Sequence, residues 1–267
     1  MEGRGRHIQQ RQACHGKLTI ANGATRIGIG GWTYPPWRGT FYPDGLPQNR
    51  ELEYASRQFG AIEINATFYG RQSPASWAKW AAAVPDGFQF AVKGSRYCVT
   101  RPKLSDAAEG LGVYFAQGLS ALGEKLGPIL WMLAARRKFD REDIAGFLKL
   151  LPPTLDGIPL RHALEPRHES FRDPAFFDLC REHDVAVVFG DDDEFPTIEA
   201  DTASFTYARL QRMREEVPTG YDDAALDAFA ARARKWSKAG RDVHIFMING
   251  AKLRAPAAAL ALSERLR

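Results

Sequence analysis

Two carboxylates and two cations in this chain stand in short apolar runs, at or near their C-terminal ends, and a third cation follows one of the runs. Glu63 lies in Ala61-Ile-Glu-Ile64, Lys93 closes Phe88-Gln-Phe-Ala-Val-Lys93, and Glu165 closes Arg161-His-Ala-Leu-Glu165. Arg209 lies near the end of Phe205-Thr-Tyr-Ala-Arg-Leu210, and Arg167 follows Glu165 by two residues. His168 comes next, Asp191 follows the run at 185–189, and Asn249 follows the run at 243–248. Glu63 and Glu165 are the residue types of an acid/base or nucleophile pair, as in glycoside cleavage. With His168 and Asp191 they also have the donor atoms of a divalent-metal site. Three cations beside them argue against that, so no metal is expected. Lys93, Arg167 and Arg209 suit an anion, arginine offering a planar fork to a phosphate or carboxylate. Lys93 could also form a Schiff base, although a buried lysine paired with Glu63 is the commoner case. Trp32, Tyr34, Trp37 and Tyr69 could stack on a ligand or only pack against one another. The competing structural reading is a salt-bridge network in which the cations neutralise the carboxylates.

These residues share a site only if the elements beneath them converge. In Ala61-Ile-Glu-Ile-Asn65 the branched residues alternate with Glu63 and Asn65, which places the two polar residues on one strand face. The same alternation runs through 88–93 and 205–210. Further strands are read at 27–31, 129–133, 161–165, 185–189 and 243–248, eight in all. Helical patterns lie between them, at about 48–59, from Ser73-Pro74 through Trp80, at 105–122, 140–150, 173–183, 222–238 and 256–266. No pair of these strands is joined by a two-residue hairpin turn, so parallel pairing through right-handed crossovers is favoured. Eight strand–helix units in about 250 residues predict a single α/β domain, a (β/α)8 TIM-type barrel. Its sixth βα unit is irregular, with no helix between Asp191 and Ala203. In such a barrel the C-terminal strand ends form one mouth, where this fold does chemistry. The opposite ends, at Ala61, Phe88, Ile129 and Val185, read as apolar. Gly28, Gly30 and Gly31 superficially suggest a dinucleotide loop, but the third glycine is missing and no helix follows at once.

The 267 residues are 45% hydrophobic and 25% charged, enough for a sizeable core. The formal charge of +4 is confined to the first 26 residues, where Arg4, Arg6, Arg11, Lys17 and Arg26 stand against Glu2. The other 31 basic and 31 acidic residues cancel. A neutral body argues against wide phosphate tracking on nucleic acid. Residues 1–25 lack an apolar signal core and read as a basic, disordered leader, with the barrel domain at 26–267. No run is long and apolar enough for a membrane span. Cys14, Cys98 and Cys180 form no framework, and a cytoplasmic protein is expected. Cys180 reads as a small core residue.

Taken together, several motifs resemble the YecE-like family, domain of unknown function seventy-two. They are Gly30-Gly-Trp-x-Tyr-x-x-Trp-x-Gly-x-Phe-Tyr-Pro43, Glu63-x-Asn-x-Thr-Phe-Tyr69 and Phe88-x-Phe-x-Val-Lys93. Leu126-Gly-Pro128, Glu165-x-Arg-His-x-Ser170, Asn249 and Ala255-Pro256 complete the set. The resemblance runs from about Arg26 onward. It implies a TIM-type barrel and no established activity. Three departures stand out: Met132-Leu-Ala-Ala135 replaces the usual Gln-Leu-Pro-Pro, Ile248-Asn249 replaces paired asparagines, and Thr100-Arg101 replaces Thr-His. The reading carried forward is a barrel whose mouth binds a polar, anionic small molecule, with no cofactor. Glu63 and Glu165 are its catalytic candidates, for hydrolase-type chemistry. Trp32, Tyr34, Asn65, Tyr69, Lys93, Arg167, His168, Asp191, Arg209 and Asn249 are its binding candidates. Binding without catalysis and nucleic-acid processing are the alternatives.

Overall fold

The computed structural model describes residues 22–267. Its strands are β1 (Thr25–Gly30), β2 (Ala61–Ile64), β3 (Gln89–Lys93), β4 (Leu126–Met132), β5 (Thr154–Leu155), β6 (Ile158–Pro159), β7 (His162–Glu165), β8 (Val185–Val187), β9 (Phe189–Asp191), β10 (Phe205–Leu210) and β11 (Asp242–Met247). The main sheet runs β8-β7-β4-β3-β2-β1-β11-β10-β9, and every pairing in it is parallel. Its two ends, β8 and β9, are one strand interrupted at Val188. The first half pairs with β7 and the second with β10, so the sheet closes into a ring of eight strands. At the break the Val188 amide still donates to the Leu164 carbonyl at 3.0 Å. This is the TIM-type barrel that the alternation predicts.

Helices α1 (Glu51–Gln58), α2 (Ala66–Tyr69), α3 (Pro74–Ala83), α4 (Arg96–Val99), α5 (Ala108–Phe115), α6 (Arg141–Leu150), α7 (Pro174–Glu182), α8 (Asp223–Trp236) and α9 (Ala255–Leu266) fill the crossovers. Their starts are chemically marked. The Ser73 hydroxyl accepts from the Ser76 amide at 3.1 Å, with Pro74 inside the first turn. Asp140, Asp173 and Asp222 cap α6, α7 and α8 in the same way. Ile27, Ile29, Ile62 and Ile64 pack outward against the helices in the main core, with Trp37, Trp77, Trp131 and Phe147. Cys98 and Cys180 are buried thiols, pushed by burial up to about 11 and about 12, which suits core residues rather than nucleophiles. Inside the bore, Ala61, Ala91, Ala163 and Ala186 on one side leave room for Phe205, Tyr207 and Phe246 on the other.

Three expectations need correction, and one hairpin was not foreseen. The helix expected over 105–122 is broken: α5 ends at Phe115, and a tight turn of 3-10 type spans Leu119–Lys125. Gly118 and Gly123, at φ 97° and 55°, take conformations no helix interior accepts. β5 and β6, which are not among the eight expected strands, form an antiparallel hairpin across Asp156-Gly157, both at positive φ. Residues 1–21 of the expected leader lie outside the described residues, and its last residue belongs to the barrel. Thr25 opens β1, and the Gly23 amide donates to the Ser237 carbonyl at 2.9 Å. The bottom of the bore is not apolar either. Arg161 donates to Gln89 at 2.8 Å and to Asp242 at 3.1 Å, and His244 meets Gln89 at 2.9 Å. Phe88, Ile129 and Val185 face outward, so they say nothing of the interior. No helix among the described residues is long and apolar enough to cross a membrane. The stretch between Asp191 and Phe205 holds no helix, as the irregular sixth unit requires.

Candidate functional site

At the C-terminal strand ends, Arg209 of β10 lies between Glu63 of β2 and Glu165 of β7. Its Nε and Nη2 donate to Glu63 Oε2 and Oε1, each at 3.2 Å, and its Nη1 donates to Glu165 Oε2 at 2.7 Å. The Tyr207 hydroxyl donates to Glu63 Oε2 at 2.7 Å. Arg167 donates to Glu165 Oε1 through Nε at 3.1 Å and Nη2 at 2.9 Å. Every oxygen of both carboxylates is therefore held by an arginine. Burial alone would raise the Glu165 carboxyl, but Arg209, Arg167 and Lys93 hold it below the usual range. Burial would likewise depress Arg209, and Glu165 and Glu63 outweigh it, fixing the charge.

Above this layer opens a cavity of about 410 Å³. Of the predicted residues, Trp32, Asn65, Tyr69, Lys93, Arg209 and Asn249 line it. Glu63 and Glu165 lie beneath and do not. No aspartate or glutamate is among the lining residues, whereas Lys93, Arg209 and Lys252 are. Lys252 escaped the sequence reading, although it follows the eighth barrel strand by the rule that singled out Asn249. Its ammonium lies 4.7 Å from the Tyr34 ring centroid, and burial lowers its pKa. Tyr34 thus serves the cavity through Lys252. Gln211 also went unread; its amide oxygen accepts from Asn249 Nδ2 at 2.7 Å and steadies that residue at φ 59°.

The remaining predicted residues are placed elsewhere. Arg167 leans on the Phe195 ring at 4.4 Å while holding Glu165. His168 Nδ1 accepts from the Ser170 amide at 3.1 Å and caps the following turn. Asp191 accepts from Arg212 Nε and from the Tyr221 hydroxyl, each at 2.8 Å. It is a tie between β9 and the loop after β10. Asp191→Asn should therefore cost about 1–3 kcal/mol in urea unfolding, since a buried charged acceptor is lost. Among the described residues, no group of three or more His, Cys, Asp or Glu side chains is placed to hold a metal ion.

Lys93 is the exception within the charged cluster. It is 7% exposed and makes no hydrogen bond or ion pair through its ammonium with the described residues. Its ammonium lies 4.6 Å from the Phe68 ring centroid instead. Burial and the repulsion of Arg209 push it down to about 8, against the partial support of Glu63 and Glu165. Below pH 8 folded and unfolded chains both carry this proton, and the folded state bears the whole penalty. Between pH 8 and 10.5 the folded chain releases it first, so stability rises with pH. Relative to Lys93→Met, the wild type should gain on the order of 2 kcal/mol across that window, read from urea unfolding of both proteins.

Comparison with known proteins agrees with this architecture. The family model described as "Protein of unknown function DUF72" matches residues 26–267. The chain is 26% identical over 157 residues to the UPF0759 protein YunF of Bacillus subtilis (strain 168), covering 57% of this chain and 54% of that protein. It thus spans about half the length of the curated relative it matches. A DUF72 family crystal structure from Enterococcus faecalis V583 superposes with TM-score 0.71 at 18% identity, over 91% of this chain and 95% of that one. Another, from Thermotoga maritima MSB8, gives TM-score 0.71 at 21% identity, over 91% and 99%. At those identities the structures speak for the fold alone. With the family model covering the barrel from its first strand onward, the chain belongs to the DUF72 family of proteins of unknown function.

Proposed function

We propose that the mouth binds a small oxyanion-bearing molecule. The observation that carries this reading is the charge of the cavity wall: Lys93, Lys252 and Arg209 line it, and among the described residues no carboxylate does. Arg209 is already spent on Glu63 and Glu165. Lys93 and Lys252 form no ion pair among the described residues, so the wall holds two cations without counter-charge. Asp191 does not balance them, because it is taken by Arg212 and Tyr221. A phosphate or carboxylate would supply the missing charge. Asn65 and Asn249 add amide groups and Trp32 a flat apolar wall, the usual make-up of a small-molecule site. Hydrolysis by Glu63 and Glu165 is supported less well, because Arg209 fills the gap a scissile bond would need. A general acid there would also need a raised pKa, and Glu165 is held low. The buried thiols Cys98 and Cys180 suit a reducing cytoplasm.

Calorimetric unfolding with and without inorganic phosphate tests the reading. At ten times Kd the gain is about 1.4 kcal/mol, a rise in Tm of a few degrees. Lys252→Met should lose most of that rise while melting near the wild type in plain buffer. If phosphate, sulfate and small carboxylates all leave the wild-type Tm where it was, the mouth is not an anion site.

A further inference from the structure

The charged cluster distributes its protons unevenly. It holds two carboxylates and three cations, and all the carboxylate oxygens are taken by guanidinium groups and the Tyr207 hydroxyl. Guanidinium groups do not give up protons near neutral pH. The surplus positive charge can therefore leave only from Lys93. Facing its ammonium are Arg209 of β10, Arg167 after β7, Glu63 of β2, Glu165 of β7 and the ring of Phe68 in α2. The strand end that carries it is fixed, because the Thr67 hydroxyl donates to the Lys93 carbonyl at 2.6 Å. Behind it, Gly94 lies against Trp131, and a Cβ there would come within 2.2 Å of the indole. A buried lysine whose role were to neutralise a carboxylate would touch one. Lys93 pairs with none among the described residues, has its backbone fixed and lines a cavity.

We infer that Lys93 is an amine nucleophile that forms a Schiff base with an aldehyde or ketone carried on the anionic ligand, so that the mouth accepts oxo-acids or phosphorylated carbonyl compounds. The proposal rests on the anion-binding reading above, which supplies the hold on the ligand's charged end through Lys252. In the first step the neutral Lys93 amine adds to the carbonyl carbon. The C–N bond forms as the carbonyl π pair moves to oxygen, and the proton of the new ammonium passes to that oxygen, giving a carbinolamine. In the second step the nitrogen lone pair expels the hydroxyl, which takes a proton from solvent and leaves as water. The product is a protonated imine, and neither step needs an oxidant or reductant. The depressed basicity of Lys93 favours the first step at neutral pH, because an ordinary lysine is almost wholly protonated there. The protonated imine restores the positive charge that Glu63 and Glu165 face.

Reductive trapping tests this. The full-length protein is incubated near neutral pH with glyoxylate or pyruvate and sodium cyanoborohydride, which reduces an imine to a stable secondary amine, and the modified lysines are read by peptide mass spectrometry. Lys93 should be modified at least about tenfold faster than the exposed Lys149 and Lys235, and phosphate should slow it without slowing them. Lys93→Arg should abolish that label yet keep the phosphate-induced rise in Tm. If the arginine does not fit, Lys93→Met should likewise abolish the label, and with one wall cation gone it should also show a smaller phosphate-induced rise. Labelling of Lys93 no faster than the exposed lysines overturns the Schiff-base proposal, and a phosphate-induced Tm rise that persists would leave the anion site standing. Fast labelling without any phosphate effect on rate or Tm would instead uphold the nucleophile and sink the anion reading.

Discussion

Arg209→Met will cost about 3–5 kcal/mol of stability, read as a drop in the urea midpoint with an unchanged slope. Arg209 is 1% exposed and is the common partner of two carboxylates that are themselves buried. Methionine fills much of the same volume, so a cavity is not the main penalty. The penalty is Glu63 left with the Tyr207 hydroxyl and Glu165 left with Arg167, in a place water does not reach. Adding Glu63→Gln removes one stranded charge, and the double variant should recover part of the loss. Loss of Arg209 also frees Glu63 for Lys93, which would raise the basicity of that lysine and slow its reductive labelling. A cost below about 1 kcal/mol would mean that the network is solvated and its members are interchangeable.

Gly28→Ala should be at least as damaging, beyond about 3 kcal/mol, and the variant should be largely insoluble or melt at least about 10 °C lower. Gly28 faces Ala61 across the β1–β2 pair. A Cβ built there falls 1.9 Å from the Ala61 carbonyl oxygen and 2.6 Å from its carbon. Those are backbone atoms of a neighbouring strand, so relief requires parting two strands of a closed ring. Gly30→Ala is the control. Its nearest neighbours are side-chain atoms, Ile248 Cγ1 at 3.2 Å and Asn65 Nδ2 at 3.3 Å, which can yield by rotation. It should fold with a loss of about 1–2 kcal/mol and weaken ligand binding, because both neighbours line the cavity. Equal stability of the two variants would contradict the register at β1.

The alternation in the strands told which face each polar residue occupies, and that was enough to bring Glu63, Lys93, Glu165 and Arg209 to one end of one barrel. It could not tell which of them touch. Arg209 meets Glu63 across 146 residues and Glu165 across 44, and such partners are chosen by strand order and side-chain reach. For the same reason the expected Lys93–Glu63 pair did not form, since two arginines had already taken the carboxylates. Polarity at one end proved a poor marker. Arg161, Gln89, Asp242 and His244 close the other end just as densely, and they do so as a plug. What separates the ends is the open volume above Arg209, which no local pattern encodes. Lys252 opens a short 3-10 turn and Gln211 follows the end of β10, so no strand period assigns either of them a face. The Asp156-Gly157 hairpin was legible from its residue types and was overlooked because the surrounding signals all favoured crossovers.

The pairing of β1 with β11 sets Thr25 beside Val243 and Ile29 beside Met247. The ring therefore has no closed intermediate: its first strand waits for its last. On the ribosome β1 and β2 emerge early, yet the outer edge of β1 stays unpaired until almost the whole barrel has been synthesised. An unpaired edge of that kind invites strands from other chains. Long-range parallel closure is also intrinsically slow. The barrel should accordingly depend on chaperone protection during synthesis, and refolding yield in vitro should fall steeply as protein concentration rises. Joining the chain after α9 to the segment before β1 by circular permutation, with new ends opened in the exposed turn between β5 and β6, would make β11-α9-β1 a local crossover unit and should raise both the folding rate and the yield.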